Sequence, residues 1–425
     1  VVGIALGAAM PVAAEQLSFR QFTQKDGLVD DHVRCLLEDS RGFLWIGTVS
    51  GLSRFDGERF VSYDMEDGLP HPSINVMLED ARGRLWLGTG AGLALMLPAR
   101  DGSGRLFRTF TFGDLPLANA VNALRVDRSG HLLVATSRGL WSVPGGVGEP
   151  EFARVELCCP EGAELLDPIG DLAETADGSL WLATEAGLFR RQPDGRLAGY
   201  PISRSPDDVE TQQVLVDHAG RVWVTGYGAW VFVPDPAGPD AGFPLHAAPP
   251  ADPQRPLRLP VRAGEAVELS GMPKSGYGEI LEMRDGAVWV STTSGGFVFR
   301  PGGVQRLSKG KGLVADDLGA LLEDSCGNVW IGTGAQGLMR LGSLSLTAFT
   351  TADGLATLAA TSGFPDGEAG VIVTGNPAAS VVHALRGAHF VPFRFSFPQT
   401  LQDPGWGWNQ ATMRDSRGEW WVPTA

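Results

Sequence analysis

The sequence predicts an all-β fold built as a β-propeller, and three observations carry that prediction. A unit typified by residues 36–52 recurs along the chain with spacings of 41 to 66 residues. Within each unit, short apolar segments alternate with turn residues, as in four-stranded antiparallel blades. No segment shows the apolar periodicity of a long helix. Units of this size and pattern are typical of blades arranged in a ring around a central channel.

The copies align on a tryptophan, which we expect to pack between neighbouring blades. Seven of the twelve tryptophans occupy this position, and leucine or isoleucine occupies it in two further copies. The nine positions are Trp45, Trp86, Leu133, Trp181, Trp223, Trp289, Trp330, Ile372 and Trp421. A glycine closes the turn before this strand, where a positive φ is needed. Aspartates in the same turn, such as Asp39 and Asp80, are predicted to accept hydrogen bonds from turn N–H groups.

The first strand is predicted to close the ring. Residues 17–28 match residues 344–355 at seven of twelve positions, and the seventh copy ends just before residue 344. We therefore expect Leu17–Thr23 to complete the seventh blade, which removes open sheet edges. The predicted domains are a partial signal peptide at 1–14, a seven-bladed β-propeller at 15–343, and the first two blades of a second, truncated β-propeller at 344–425.

Composition and the first residues indicate where the protein acts. With 34 basic against 49 acidic residues and a net charge of −15, the chain has no basic stripe for nucleic acid. Residues 1–14 are apolar, uncharged and followed by Glu15, which indicates part of a secretory signal; a buried N-terminal strand is the alternative. On this interpretation the sequence is a fragment that begins within the signal and ends in mid-blade.

Two further features leave alternatives open. The four cysteines, Cys35, Cys158, Cys159 and Cys326, lack the spacing of a metal site, and their disulfide state cannot be read from the sequence. The longest spacing contains a proline-rich insertion at 234–260, interpreted as a solvated loop, with a lid or contact arm as the alternative.

Candidate ligand-binding residues lie at one end of the predicted channel, in loops or early on the inner strands. They are His32, Arg34, His71, Asn75, Asn122, Arg138, Glu185, Tyr227 and Gln336. Arg34, Asn75 and Asn122 share one position of the repeat with Gly170, Gln212, Gly278 and Gly319, and this position is expected to line the channel. A water-filled channel with paired polar walls is the alternative. Because no motif of a catalytic or metal site occurs, we predict no catalytic residue, metal or cofactor.

The string EDxxGxLWIGTxxGL, nearly intact at 38–52, 79–93 and 323–338, closely resembles the two-component regulator propeller repeat. The resemblance covers nearly the whole chain after residue 14. It implies two seven-bladed rings outside the membrane, then a small β-sandwich, one transmembrane helix and a cytoplasmic output, commonly a histidine kinase. Relatives in gut bacteria sense polysaccharide fragments.

The resulting hypothesis is the ligand-sensing propeller of a membrane-bound sensor histidine kinase, located in the periplasm. Expected partners are a small polar ligand or oligosaccharide, a second propeller with membrane-linked signalling domains, and a second copy in a homodimer. No enzymatic activity is expected of the chain itself. The alternatives are the sensor region of a diguanylate cyclase, a glycan- or protein-binding propeller without signalling, and a secreted propeller lyase or lactonase.

Overall fold

The computed structural model describes residues 19–100, 102, 104–114, 119–144, 150–157, 168–200, 210–226, 228–234, 266–269, 272–273, 276–300, 303–342, 354, 362–366, 370–374, 381–386, 389–394, 413–414 and 420–421. The predicted signal peptide at 1–14, Cys158, Cys159, Tyr227 and nearly all of the insertion at 234–260 lie outside these residues. The chain divides into two compact units, one of which is Phe19–Leu344. The other comprises Val1–Ser18 and Ser345–Ala425.

The unit Phe19–Leu344 contains seven four-stranded antiparallel sheets, which are the blades. After β1 (Phe19–Phe22), the first three blades consist of β2 (Val33–Glu38), β3 (Leu44–Thr48), β4 (Leu52–Phe55) and β5 (Phe60–Tyr63); β6 (Ile74–Glu79), β7 (Leu85–Thr89), β8 (Gly92–Met96) and β9 (Phe107–Phe110); and β10 (Val121–Val126), β11 (Leu132–Thr136), β12 (Gly139–Val143) and β13 (Ala153–Arg154).

The next three blades repeat the same order, in which each strand pairs with the one before it. They consist of β14 (Ile169–Glu174), β15 (Leu180–Thr184), β16 (Gly187–Arg191) and β17 (Leu197–Tyr200); β18 (Thr211–Val216), β19 (Val222–Gly226), β20 (Gly228–Phe232) and β21 (Ala266–Glu268); and β22 (Tyr277–Glu282), β23 (Val288–Thr292), β24 (Gly295–Arg300) and β25 (Gly303–Leu307). Two short 3-10 turns, Gln24–Asp26 and Lys309–Lys311, precede the first and seventh blades.

The seventh blade joins the two ends of the unit. It consists of β26 (Leu318–Glu323), β27 (Val329–Thr333), β28 (Leu338–Leu341) and, as its fourth strand, β1. β1 runs antiparallel to β28, with Phe19 opposite Leu341 and Phe22 opposite Leu338. The first strand of each sheet also contacts the first strands of both neighbouring sheets, from β2 round to β26 and back. The predicted seven-bladed ring and its closure by the N-terminal strand are therefore confirmed.

The predicted packing role of the repeated tryptophan is confirmed. Trp45 is fully buried and shares one apolar cluster with Met77, Leu85 and Leu87 of the next blade. At the closure, Phe22 packs against Trp330 of its own blade and against Phe55 and Phe60 of the first blade, with ring centroids 5.3 to 6.0 Å apart. Each of these aromatic side chains fills the gap between two sheets, and the apolar area that it buries stabilises the ring.

The repeated aspartate bonds the turn, as predicted, and it also bonds the tryptophan. Asp39 accepts hydrogen bonds from the N–H of Phe43 at 3.0 Å and from Trp45 Nε1 at 2.9 Å. The same indole bond joins Trp86 to Asp80, Trp223 to Asp217 and Trp330 to Asp324. Burial alone would raise the pKa of Asp39, but the hydrogen bonds from Trp45 and Arg41 outweigh burial and lower that pKa.

The bond is absent from three blades: the third has Leu133 in place of the tryptophan, and the fourth and sixth keep the tryptophan but lack the aspartate. Thr175 and Met283 stand at the aspartate position of the fourth and sixth blades, where each backbone N–H still closes the turn. In these blades Trp181 Nε1 and Trp289 Nε1 are buried and have no hydrogen-bond partner among the described residues. The blades therefore tolerate the loss of this hydrogen bond, at a cost in stability that other packing offsets.

A second repeated contact joins five of the seven blades to the one before them; the first strands of the third and fifth blades end in Val126 and Val216 and do not make it. The glutamate that ends a first strand accepts a hydrogen bond from the backbone N–H that follows the repeated aspartate position of the preceding blade. These bonds run from Ser40 to Glu79, Arg128 to Glu174, His218 to Glu282, Arg284 to Glu323 and Ser325 to Glu38. The last of them crosses the closure, where Ser325 Oγ also donates to Glu38 Oε1 at 2.6 Å.

The second unit contains six described strands. They are β29 (Ser362–Asp366), β30 (Gly370–Thr374), β31 (Val381–Arg386), β32 (His389–Arg394), β33 (Met413–Arg414) and β34 (Trp420–Trp421). β29 to β32 form one antiparallel sheet in chain order, and β33 pairs with β34. The assignment of residues 344–425 to the first two blades of a second propeller stays a prediction.

Replacing Asp217 with alanine should lower the free energy of unfolding by about 2–3 kcal/mol, because the buried indole of Trp223 loses its acceptor. Asp285→Ala is the matched control, since Asp285 accepts from the N–H of Ala287 but no indole bonds to it. Its cost should be about 1 kcal/mol or less. Chemical denaturation of both variants measures the difference, and equal losses would contradict a stabilising indole bond.

Replacing Phe22 with alanine should lower the free energy of unfolding by about 3–5 kcal/mol, because it leaves a hole between the last and first blades. Val61→Ala serves as the control, since Val61 lies on an edge strand and is 40% exposed. Urea denaturation followed by tryptophan fluorescence measures both. A loss for Phe22→Ala as small as that for Val61→Ala would show that closure does not limit stability.

Candidate ligand-binding channel

Every first strand begins with an irregularity in its pairing, and this irregularity shapes the channel. One residue is left out of the ladder in five of these strands, and two residues are left out in β22 and β26. The pairing of each first strand with its neighbour shifts after the first residue, as between Val33 and Cys35 and between Ile74 and Val76. The second residue of each strand is therefore left out of the ladder with the tryptophan strand. A bulge of this kind redirects a side chain, and bulges are common beside functional sites. Since the first strands encircle the axis, these residues lie around the channel.

The unpaired second residues join neighbouring first strands. Asn75 Nδ2 donates to the carbonyl oxygen of Val121 at 3.1 Å, and Asn122 Nδ2 donates to the carbonyl oxygen of Ile169 at 3.0 Å. In each pair the acceptor begins the first strand of the next blade. These amides therefore link neighbouring blades along the channel wall. Asn75 Oδ1 also accepts from Ser73 Oγ at 3.2 Å, which leaves the second N–H of each amide for a ligand or for water.

Two carboxyl groups occupy the third position of the first strands. Asp171, on β14, accepts from the N–H of Val214 on β18 at 3.0 Å. Glu279, on β22, accepts from the N–H of Leu321 on β26 at 2.8 Å. Both residues are half-buried, and each bridges its own blade to the next one. The equivalent residue of the first blade is Cys35, whose thiol is free.

These groups are poorly solvated and influence one another. Burial raises the pKa of Glu279 to about 7, with a further rise from Asp171 and an opposing effect of the Leu321 N–H. Burial likewise raises the pKa of Asp171 to about 6, against its hydrogen bonds and the charge of Arg125. The pKa of Cys35 is raised by burial and then by Glu279. The channel therefore holds two carboxyl groups that titrate near neutral pH.

Arg34 supplies the positive charge beside this cluster. Its guanidinium lowers the pKa of Cys35, against the larger effects of burial and of Glu279. Arg34 is exposed, as is His32 in the loop before it. The wall thus combines the charge of Arg34 with carboxyl and amide groups, which suits a ligand rich in hydroxyl groups or other polar groups.

The remaining predicted residues lie in loops and contribute no common cluster. Glu185 and Arg138 are exposed in loops after the second strand of a blade, and the N–H of Arg138 donates to Thr136. His71 Nδ1 accepts from the N–H of Ser73 at 3.0 Å. The carbonyl oxygen of Gln336 accepts from Gln21 Nε2 at 2.8 Å, at the ring closure. Among the described residues, no hydrogen bond or ion pair joins His32 to His71. Whether any of these residues binds ligand stays a prediction.

Asp171 and Glu279 are the channel residues that the sequence analysis missed. The signal that could have found them is their place in the aligned repeat, where the other copies have cysteine, valine, alanine or glutamine. Within the part of the chain that is described, no group of three or more His, Cys, Asp and Glu residues is arranged to hold a metal ion. Nor does any described helix have the length and apolarity to cross a membrane.

Comparison with known families finds the repeat itself. Residues 27–50 and 68–91 match the family described as "Two component regulator propeller". They cover the approach to the first strand, the first strand and the tryptophan strand of the first two blades. No curated protein sequence matches the chain.

Solved structures with the same fold include extracellular domains of two proteins from B. thetaiotaomicron. That of BT3049 from B. thetaiotaomicron, assigned as a hybrid two component system, is 17% identical with a TM-score of 0.62. The match covers 96% of this chain and 52% of that one, so this chain spans about half the length of that domain. The extracellular domain of BT4673 from B. thetaiotaomicron is 18% identical, with a TM-score of 0.59 and coverage of 96% and 51%.

Enzymes share the fold as well. Virginiamycin B lyase from Staphylococcus aureus is 9% identical, with a TM-score of 0.55 and coverage of 76% of this chain and 99% of that chain. At these identities each likeness shows the fold alone.

Glu279→Gln should change how stability depends on pH. A carboxyl whose pKa is higher in the folded than in the unfolded protein stabilises the fold at low pH, and this stability is lost as the pH rises through the folded pKa. For Glu279 this loss of stability falls between pH 4.5, the ordinary pKa of the carboxyl group, and about pH 7, its pKa in the folded protein. The wild type should lose more stability across it than Glu279→Gln, whose amide oxygen still accepts from Leu321.

Thermal unfolding of both proteins between pH 4 and pH 8 measures this difference. The midpoint of the variant minus that of the wild type should grow with pH. Glu185→Gln is the control, because Glu185 lies in an exposed loop, and its difference should stay constant. A constant difference for Glu279→Gln would contradict a raised pKa.

Proposed function

Because its first two blades carry repeats of the two component regulator propeller family, we propose that the chain is the ligand-sensing part of a receptor that acts outside the cytoplasm. Extracellular domains of proteins assigned to hybrid two component systems have the same fold, which supports this proposal. The parent protein would be a periplasm-facing histidine kinase of the inner membrane. A diguanylate cyclase output would leave the sensing role unchanged.

The observation that carries the proposal is the polar wall of the channel. Arg34, Asn75 and Asn122 emerge from bulges, and Asp171 and Glu279 lie beside them on the third positions of their strands. Carboxyl and amide groups both accept hydrogen bonds, and amides and protonated carboxyls also donate them. A ligand with many hydroxyl groups, such as an oligosaccharide fragment, matches this set.

The hydrogen bonds between blades offer a route from binding to signalling. Asn75, Asn122, Asp171 and Glu279 each bond the first strand of the following blade. A ligand that competes for these groups, or bonds them in one arrangement of the blades, favours that arrangement. Its differential affinity for the two arrangements would shift their populations. In the parent protein, a second propeller, membrane-linked domains and a homodimer would transmit the shift.

The chain is proposed to bind without catalysis. Lyases with this fold are 9 to 10% identical to the chain, and at this identity their activity is not transferred to it. What favours a sensor over a lyase here is the repeat family of the first two blades.

The test is a thermal melt of the full chain against a panel of oligosaccharides and smaller polyols. A ligand present at about one hundred times its dissociation constant adds about 2.7 kcal/mol, which moves the midpoint visibly. Arg34→Gln should abolish the shift, and Arg59→Gln should not, because Arg59 is exposed in the turn between β4 and β5. If no member of the panel shifts the midpoint, or if Arg34→Gln keeps the shift, the channel proposal is wrong.

A further inference from the structure

A cavity of about 230 Å³ lies between the third and fourth blades, away from the first-strand positions that line the channel. Its apolar wall includes Leu133 and Leu180, and its polar wall includes Asp127, Ser142 and Arg191. The cavity therefore has the mixed lining of a small-molecule site, in which apolar walls hold a ring and a few polar groups orient it.

The cavity exists because the third blade departs from the repeat at two paired positions. Leu133 stands where seven copies have tryptophan. Its partner across the strands is Ser142. In three other blades the equivalent partner is an arginine whose guanidinium lies over the tryptophan ring, at 5.9, 5.6 and 5.4 Å for Arg54, Arg190 and Arg340. The third blade thus replaces a large indole and a long side chain with two small ones.

The third blade nevertheless keeps the aspartate that bonds the indole elsewhere. Asp127 Oδ1 accepts from the N–H of Ser129 at 2.9 Å and of His131 at 2.8 Å, so the turn is intact. Among the described residues, its Oδ2 accepts no hydrogen bond from an indole, and its ion-pair partner, His131 Nδ1, is 3.8 Å away, which is too long for a hydrogen bond. The Asp127 side chain is 22% exposed, whereas that of Asp217, which bonds Trp223, is 0% exposed.

A second polar group in the lining also lacks a partner. Arg191 Nε is buried and makes no hydrogen bond among the described residues. Arg191 ends β16, which belongs to the fourth blade, so it approaches the cavity from the side opposite Asp127. The cavity therefore has an unmatched acceptor on one wall and an unmatched donor on the other, and both favour a polar aromatic occupant over a purely apolar one.

We propose that this cavity is a second ligand site, which binds a flat aromatic compound carrying an N–H donor, with indole as the simplest member. The ring would lie against Leu133 and Leu180, in the space that a tryptophan fills in neighbouring blades, and its N–H would donate to Asp127 Oδ2. The volume is sufficient, since a leucine-lined cavity of roughly 150 Å³ holds benzene. This site is independent of the channel ligand.

The test is isothermal titration of the full chain with indole and with benzofuran, which has a similar shape but no N–H. Indole should bind saturably at one site, and benzofuran should bind about tenfold more weakly or not at all, because it cannot bond Asp127. Absence of saturable indole binding, or equal affinity for the two compounds, would overturn the proposal.

Variants locate the site. Leu133→Trp should abolish indole binding and raise the thermal midpoint, because it restores the side chain that the other blades have. Leu133→Phe fills the same space without an N–H and should also abolish binding. If only one of the two variants folds, that variant alone still tests whether indole binds in the cavity. Val61→Trp places an additional indole on an exposed edge strand and should leave binding unchanged. Indole binding that survives in a folded Leu133 variant would show that the cavity is not the site.

Discussion

The pairing of β1 with β28 is the constraint on which the rest of the structure depends. Each blade packs only against its neighbours, so the ring persists only if the last blade meets the first. The contacts made there are specific to that meeting: Phe22 lies among Trp330, Phe55 and Phe60, and Ser325 donates to Glu38 across the joint. β1 also covers the edge of β28, which would otherwise be unpaired. The channel also depends on the pairing of β1 with β28, because the first strands surround an axis only when the ring is complete.

Within this ring, the repeated contacts explain stability and the departures from them indicate function. An aspartate that bonds a buried indole recurs because it stabilises both the turn of a blade and the tryptophan that packs against the next blade. Positions that break the pattern have no such explanation. Asp171 and Glu279 place carboxyl groups where other blades have smaller or uncharged side chains. Leu133 replaces the tryptophan of the repeat, although Asp127, the aspartate that would bond its indole, remains. In a repeat protein, the blades themselves therefore serve as the reference against which an unusual residue is recognised.

The fold could be predicted from the sequence because its signals are repeated. The tryptophan register gave the number of blades, and the match between residues 17–28 and 344–355 gave the closure. The channel was predictable only in part. Asn75 and Asn122 follow from the register, whereas Asp171 and Glu279 look like ordinary surface residues until their neighbours on the next blade are known. The cavity beside Leu133 is harder still to predict, because a leucine on a strand looks like normal core and the signal is a missing side chain.

The antiparallel closure also has a mechanical consequence. Phe19 pairs with Leu341, so the chain enters and leaves the ring at the same end of one two-stranded ladder. Tension applied between these two residues would load the backbone hydrogen bonds one after another, as in unzipping, and not all together as in shear. The strand pair that completes the ring is thus also the joint that yields first under force, after which Phe22 would leave its aromatic neighbours and the seventh and first blades would separate.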